Sequence, residues 1–318
     1  MMGSIRFKGG EFAFIDWIRR RSARTPRGFV VGIGDDACVL DAAGTRRLAV
    51  TTDMLLEGTH FDLSRCTPEE VGWKSVGVNL SDIAAMGMRP AALVAAVGVP
   101  DRCGRKFLEA LYRGMRKCAD RFDVPIAGGD VTSWQQDLLV TCVTALGRDA
   151  HAQPVLRSGA RPGDVILVTG ELGGSLLGRH VRFIPRVDES LALVRRIRPH
   201  AMIDVSDGLS SDLGHIAQES GVGAVLDEQA LPVSRDARRA AKVDGRSATE
   251  HALDDGEDFE LIVTMSGRDA KRVLARPPFR TRLTAIGRIV RKPGLFIRTR
   301  DGKERRLEPG GYEHLPRD

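Results

Sequence analysis

Apolar positions in this chain fall into short runs separated by Gly, Pro and acidic residues. Glu11 to Arg21 carries Phe14, Ile15, Trp17 and Ile18 at helical spacing, and Arg24 to Arg27 is a loop. Phe29 to Leu40 and Arg47 to Thr52 read as strands with a turn at Ala43-Gly44 between them. The next element is a helix with a well-marked start. Thr67 suits the N-cap, Pro68 the first helical position, and Glu70 completes a capping box. Trp73, Val76, Leu80 and Ile83 form its apolar stripe; Gly87 stops it and Pro90 prevents continuation. Ala91 to Val99 is a buried strand, Phe107 to Arg121 an amphipathic helix, and Leu138 to Leu146 another strand.

The stretch Arg148 to Gly163 holds Pro154, Gly159, Pro162 and Gly163 and few large apolar residues, so the chain divides near its start, into 1–148 and 149–318. Beyond it, Val165 to Thr169 is a strand, and Gly170 to Gly174 turns into a helical stretch. Ala201 to Val205, the helix Leu209 to Ser220 and Ala224 to Leu226 form a strand–helix–strand unit. Glu260 to Met265 and Leu283 to Ile289 are further strands. The pattern predicts a two-domain α/β (α+β) protein, strand-rich in its first half. A length of 318 residues agrees, being long for one hydrophobic core.

Composition narrows the partners. Hydrophobic residues make up 42% and charged residues 28%, ordinary values for a globular chain. The net charge of +6 hints at an anionic ligand, but the basic residues are scattered and aromatics are only 5%, so no nucleic-acid platform is expected. No apolar run approaches the ~20 residues of a membrane span, and Met1 to Gly10 lacks a signal-peptide core. The five cysteines contain no CxxC pair and read as reduced, structural residues of a cytoplasmic protein.

Candidate chemistry gathers where apolar segments end. Asp35-Asp36 follow Gly32-Ile33-Gly34, and Asp53 follows Thr51-Thr52. Asp130 follows Gly128-Gly129, Asp204 and Asp207 end another run, and Asp254 to Asp258 form an acidic group. Asp82 sits in a helix among small and apolar residues. Adjacent carboxylates in such surroundings repel each other and are costly to desolvate unless a cation lies between them. Oxygen donors without clustered Cys and His suit Mg²⁺, which shares its shell with substrate phosphates. Gly32-x-Gly34-x-x-Ala37 mimics a dinucleotide fingerprint, but Cys38-Val39-Leu40 after it is extended rather than helical. No P-loop and no protein-kinase signature set is present. His60 could bind an anionic substrate or move a proton; His215 reads as structural. The Gly170 to Gly174 loop could offer backbone N–H groups to phosphate or be a tight turn.

Together the motifs resemble the thiamine-monophosphate kinase family of the aminoimidazole-ribonucleotide-synthetase-like superfamily. The matching stretches are Gly10-Glu11-Phe12, GIGDDA at 32–37, TTD at 51–53, EGTHF at 57–61, VNLSDIAAMG at 78–87 with Arg89-Pro90, GGD at 128–130, RSGARPGD at 157–164, DVSDGLSSDLGHIA at 204–217, GEDFEL at 256–261 and GGYEH at 310–314. The resemblance implies transfer of the γ-phosphate of ATP to thiamine monophosphate, with several Mg²⁺ ions. It implies metal ligation by Asp36, Thr51, Thr52, Asp53, Asp82, Asp130, Asp204 and Asp207. It implies ATP binding by Tyr112, Gly129, Asp130, Arg157 and Ser206, and substrate binding by His60, Glu257 and Tyr312. It also implies a homodimer whose N-terminal domains bind ATP and Mg²⁺ and pair into a barrel, while the C-terminal domains close the sites. Met54, Thr132-Ser133-Trp134 and Asp255 depart from the family's usual residues. Two alternatives stay open: a superfamily relative that forms an activated phosphate intermediate, and a silent nucleotide- or metal-binding regulator.

Overall fold

The computed structural model describes residues 29–31, 35–42, 46–149 and 153–312. The helix at 11–21, Gly10-Glu11-Phe12, the loop at 24–27, Gly32 to Gly34, the turn at 43–44 and the end of GGYEH lie outside the described residues. Among the described residues, no helix is long and apolar enough to cross a membrane.

The first unit is a six-stranded sheet backed by two helices. Its strands are β1 (Phe29–Val31), β2 (Cys38–Ala42), β3 (Arg46–Leu56), β4 (Arg89–Pro100), β5 (Ile126–Trp134) and β6 (Val140–Arg148), in the order β1-β2-β3-β6-β4-β5. Helix α1 is Pro68–Ala85 and α2 is Arg105–Arg121. The capping box forms as expected: Thr67 Oγ1 accepts the Glu70 N–H while the Glu70 carboxylate accepts the Thr67 N–H. Phe29 to Leu40 does not run as one strand. β1 and β2 are antiparallel, with Phe29 opposite Leu40, so the chain reverses between Val31 and Cys38.

Strand periodicity gives this sheet two different faces. Ala49, Leu93, Val143 and Ala145 join the core with Val76, Leu80 and Ile83 of α1. The opposite face carries Thr52, Met54, Val94, Ala96, Cys142 and Thr144 and is uncovered among the described residues.

The second unit holds β7 (Val165–Thr169), β8 (Ala201–Asp204), β9 (Gly223–Asp227), β10 (Leu261–Met265), β11 (Leu283–Val290), β12 (Gly294–Arg298) and β13 (Glu304–Leu307). Their order is β13-β12-β9-β11-β7-β10-β8. Its helices are α3 (Val187–Arg196), α4 (Leu209–Ser220), α5 (Arg235–Asp244), α6 (Ala248–Asp254) and α7 (Gly267–Ala275). The β8–α4–β9 unit exists, but α4 carries the chain across the sheet, and β9 pairs with β11 and β12 instead of β8. After Gly174 the expected helix is replaced by two 3₁₀ turns, Ser175–Leu177 and Arg179–Val181.

Helix α1 belongs to both units. Its Val71, Leu80 and Ile83 sit in the first core, while Ala85 packs with Leu167, Leu193 and Met202 of the second. Ser190 Oγ donates to the Ala84 carbonyl at 2.5 Å. In return, Phe259 of the second unit enters the first core, its ring 4.0 Å from that of Phe183.

Candidate active site

Two strand ends, the interior of β3 and one helix bring the acidic residues together. Thr51 and Asp53 share one face of β3, Asp82 faces them from α1, Asp36 precedes β2, and Asp204 ends β8. Carboxylate oxygens of Asp36, Asp82 and Asp204 all lie within 4.8 Å of one another. Asp53 is close enough to Asp82 to raise its pKa. Neutral donors and one cation hold the group in place. Thr51 Oγ1 donates to Asp82 Oδ2 at 2.5 Å, Ser81 Oγ to Asp204 Oδ2 at 2.5 Å, and Arg157 Nη2 to Asp36 Oδ1 at 2.8 Å. The Arg157 backbone N–H donates to the Asp35 carboxylate at 3.3 Å, so Asp35 anchors the arginine.

The electrostatics are costly without a cation. Burial, then repulsion by Asp36, pushes both Asp35 and Asp204 up to about 7. Burial first and the neighbouring Asp53 second push Asp82 well above its ordinary value. Asp36 Oδ2 is buried and has no hydrogen-bond partner among the described residues. A convergent set of carboxylate and hydroxyl oxygens with an unfilled acceptor fits a hard divalent cation.

Thr52 stands apart. Strand alternation turns its hydroxyl to the open face, where it donates to the Val143 carbonyl at 3.1 Å and accepts from Thr144 Oγ1 at 3.0 Å. Its side chain does not join the carboxylates.

A cavity of about 310 Å³ adjoins the cluster through Asp53, and His60, Ser206, Asp207, Phe259, Glu257 and Tyr312 also line it. His60 Nδ1 accepts the Leu56 N–H at 3.0 Å, so the neutral ring carries its proton on Nε2. The loop after β8 and the loop before β10 are laced together: Glu257 N–H donates to the Ser206 carbonyl at 2.7 Å, and Phe259 N–H to Val205 at 2.8 Å. Glu257 and Phe259 adopt left-handed backbone with φ of 62° and 50°, a costly conformation for side chains of this size. The Tyr312 N–H donates to the Asp207 carbonyl at 3.0 Å, which brings the C-terminal segment to the cavity.

Tyr112, Gly129 and Asp130 line a different space, a groove of about 470 Å³ between α2 and the edge strand β5. Gly129 is needed there because a Cβ would stand 1.9 Å from the Ala95 carbonyl oxygen. The five expected nucleotide ligands are thus split, with Arg157 and Ser206 beside the carboxylates and cavity and the other three in the groove.

Other expectations find plain positions. The Gly173 and Gly174 N–H groups donate to Asp258 and Asp255 at 2.7 and 2.8 Å, so this loop is a tight turn with its donors already used. Asp255 also meets His251 Nδ1 at 2.9 Å and Arg246 Nη1 at 3.1 Å, a structural role. His215 offers a ring nitrogen within 4.8 Å of carboxylate oxygens of Asp207 and Asp212, a grouping that sequence reading passes over. Sequence reading also passes over Lys74, inside what reads as an apolar helix. It is fully buried and its Nζ donates to Glu257 Oε1 at 2.6 Å and to the His60 carbonyl at 2.5 Å.

Comparison with known proteins agrees with this layout. Two family models match, the AIR synthase related protein N-terminal domain over residues 34–148 and the C-terminal domain over 177–299. A thiamine-monophosphate kinase of Rhodopirellula baltica is 38% identical over 311 residues, covering 96% of this chain and 97% of its own. The solved structure described as AaThiL complexed with AMPPCP and TMP superposes with a TM-score of 0.82 at 30% identity, covering 98% and 99% of the two chains. The crystal structure of thiamine-monophosphate kinase from Stenotrophomonas maltophilia K279a gives a TM-score of 0.71 at 38% identity, covering 92% of this chain and 97% of that one. With such identity over nearly its whole length and one domain model matching each half, the chain belongs to the thiamine-monophosphate kinase family of AIR synthase related proteins.

Proposed function

We propose that this protein transfers the γ-phosphoryl group of ATP to thiamine monophosphate, giving thiamine diphosphate and ADP. The observation that carries the reading is a buried carboxylate cluster whose neighbour Asp53 lines a cavity, in a chain of this family. The acceptor is a phosphate monoester with a second pKa of about 6, already a dianion at neutral pH, so it needs no strong general base. Its difficulty is charge. Two unit charges ~4 Å apart repel by about 4 kcal/mol at an effective dielectric of ~20, and several meet here.

We assign Asp36, Thr51, Asp53, Asp82, Asp204 and Asp207 to hold Mg²⁺, with Asp130 contributing from β5 and Thr52 only through its main chain. Bound there, Mg²⁺ supplies positive charge between the two phosphate groups. Arg157, held by Asp35 and Asp36, places a guanidinium beside the nucleotide phosphates, and Ser206 lies at the same edge. His60 Nε2, Glu257 and Tyr312 orient the acceptor in the cavity. This explains a site rich in carboxylates and without a nucleophile.

The split nucleotide set supports a homodimer. Tyr112, Gly129 and Asp130 lie on the edge of the sheet whose uncovered face carries Met54, Val94 and Cys142. Pairing that face with a second copy covers it and sets one copy's groove against the other's carboxylates. We place the division between the domains at 148/149, the first binding ATP and Mg²⁺ and pairing, the second closing the site.

The test is incubation with Mg-ATP and thiamine monophosphate, with products identified by mass. Thiamine diphosphate and ADP in equal amounts are expected. ATP hydrolysis alone, or nucleotide binding without turnover, refutes the reading.

A further inference from the structure

Lys74 is an unusual residue for its place. It stands on α1 between Val71 and Val78 and has no exposed surface. A buried ammonium is costly unless paired. Burial pushes its pKa below the ordinary value, and the Glu257 carboxylate works against that shift. Its two contacts come from different units: the His60 carbonyl follows β3 of the first, and Glu257 belongs to the loop before β10 of the second. Glu257 is held by this ion pair through Oε1, while its other oxygen, Oε2, is buried and has no hydrogen-bond partner among the described residues. Glu257 lines the cavity with its side chain 20% exposed, so a donor bound there meets a carboxylate that still has one acceptor unfilled.

We propose that Lys74 is a positioning residue that sets substrate specificity by acting through Glu257. The ammonium fixes one carboxylate oxygen, holds the residue in its left-handed backbone, and balances its charge. The second oxygen is then left as the acceptor for a donor bound in the cavity, without adding a net negative charge beside the acidic cluster. Such an acceptor selects an acceptor molecule with a neutral N–H donor, such as an amino group on a heteroaromatic ring. The His60 carbonyl aims the ammonium, so the pair closes only when both units are docked. This inference rests on the kinase reading above.

The test compares the unaltered chain with Lys74→Met, Glu257→Gln and the double variant, using Mg-ATP and thiamine monophosphate. Lys74→Met is expected to raise KM for thiamine monophosphate by about 30-fold, the range for truncating one partner of a buried charge pair. KM for ATP and kcat are expected within about threefold of the unaltered chain, a split that general structural damage would not produce. The double variant is expected within about threefold of Glu257→Gln alone, because Lys74 has nothing left to position. It leaves no buried charge unpaired, so it carries the test if Lys74→Met alone is insoluble. Equal rises in both KM values, or a double variant much worse than Glu257→Gln, overturn the proposal. An unaltered chain that does not phosphorylate thiamine monophosphate overturns the kinase reading and this inference with it.

Discussion

At the scale of single residues, the site is dominated by carboxylates that burial keeps from ionising easily. Asp35 and Asp204, each raised to about 7, retain protons in the folded chain at pH values where an unfolded chain has released them. Between the ordinary carboxylate value and about 7, folding therefore takes up protons, and stability falls as pH rises through that window. Above it the loss levels off. We expect the urea midpoint of EDTA-treated protein to drop between about pH 5 and pH 8, and Mg²⁺ to restore more stability at the higher pH. Equal stabilisation by Mg²⁺ at both values would show that Asp204 does not meet the metal. Much of this cluster is legible in the sequence, because Asp35-Asp36, Asp53 and Asp204 end apolar runs and that placement is local. What is not legible is direction. Thr51 and Thr52 are neighbours of one chemistry, and only strand alternation sends one to the carboxylates and the other to the open face. Lys74 escapes for a related reason: its partner Glu257 is 183 positions away, and nothing near it in sequence marks the pair.

At the scale of elements, α1 and α2 cross at van der Waals contact of their backbones. A Cβ on Gly72 would stand 2.0 Å from the Leu111 carbonyl oxygen, and one on Gly114 would stand 1.8 Å from that of Glu69. Replacing an exposed helix glycine with alanine ordinarily stabilises a helix by about 1 kcal/mol. Here the sign reverses, since backbone cannot yield as a side chain can. Gly72→Ala is expected to cost about 1–3 kcal/mol by overpacking, read as a lower denaturant midpoint. Unchanged or raised stability would mean that the helices do not meet at this crossing. The helix start is legible because Thr67, Pro68 and Glu70 act within one turn. The reversal inside 29–40 is not, because apolar residues flank both arms and alternate similarly along each. The 3₁₀ turns after Gly174 are also hidden. Gly173 and Gly174 adopt φ of 83° and 72° to hand their N–H groups to Asp258 and Asp255, partners fixed by tertiary structure.

At the scale of the whole molecule, the split of the proposed nucleotide ligands makes a prediction about assembly. Asp53→Asn removes a carboxylate at the acidic cluster, and Asp130→Asn removes one at the edge groove. Each alone is expected to abolish phosphoryl transfer with the fold intact. If each site takes its cluster from one copy and its groove from the other, mixed dimers regain one complete site. Unfolding and refolding the two variants together would then restore about a quarter of full activity, from half of the dimers carrying one working site each. No recovery, in a sample proven to contain mixed dimers, would place all the ligands of a site in one chain.

Helix α1 bears on traffic through the site. Enzymes with a cleft between two lobes commonly admit and release their reactants by swinging the lobes apart. Here the helix is a rivet through both, with Ile83 seated in one core and Ala85 in the other. Prising the lobes apart would tear both cores, so the doorway must lie elsewhere. Leu176 and Tyr312 stand at the rim of the cavity, about half exposed, on segments outside α-helix and sheet. We expect the product to leave past that rim, so that stiffening those two segments lowers kcat while single-turnover phosphoryl transfer stays unchanged.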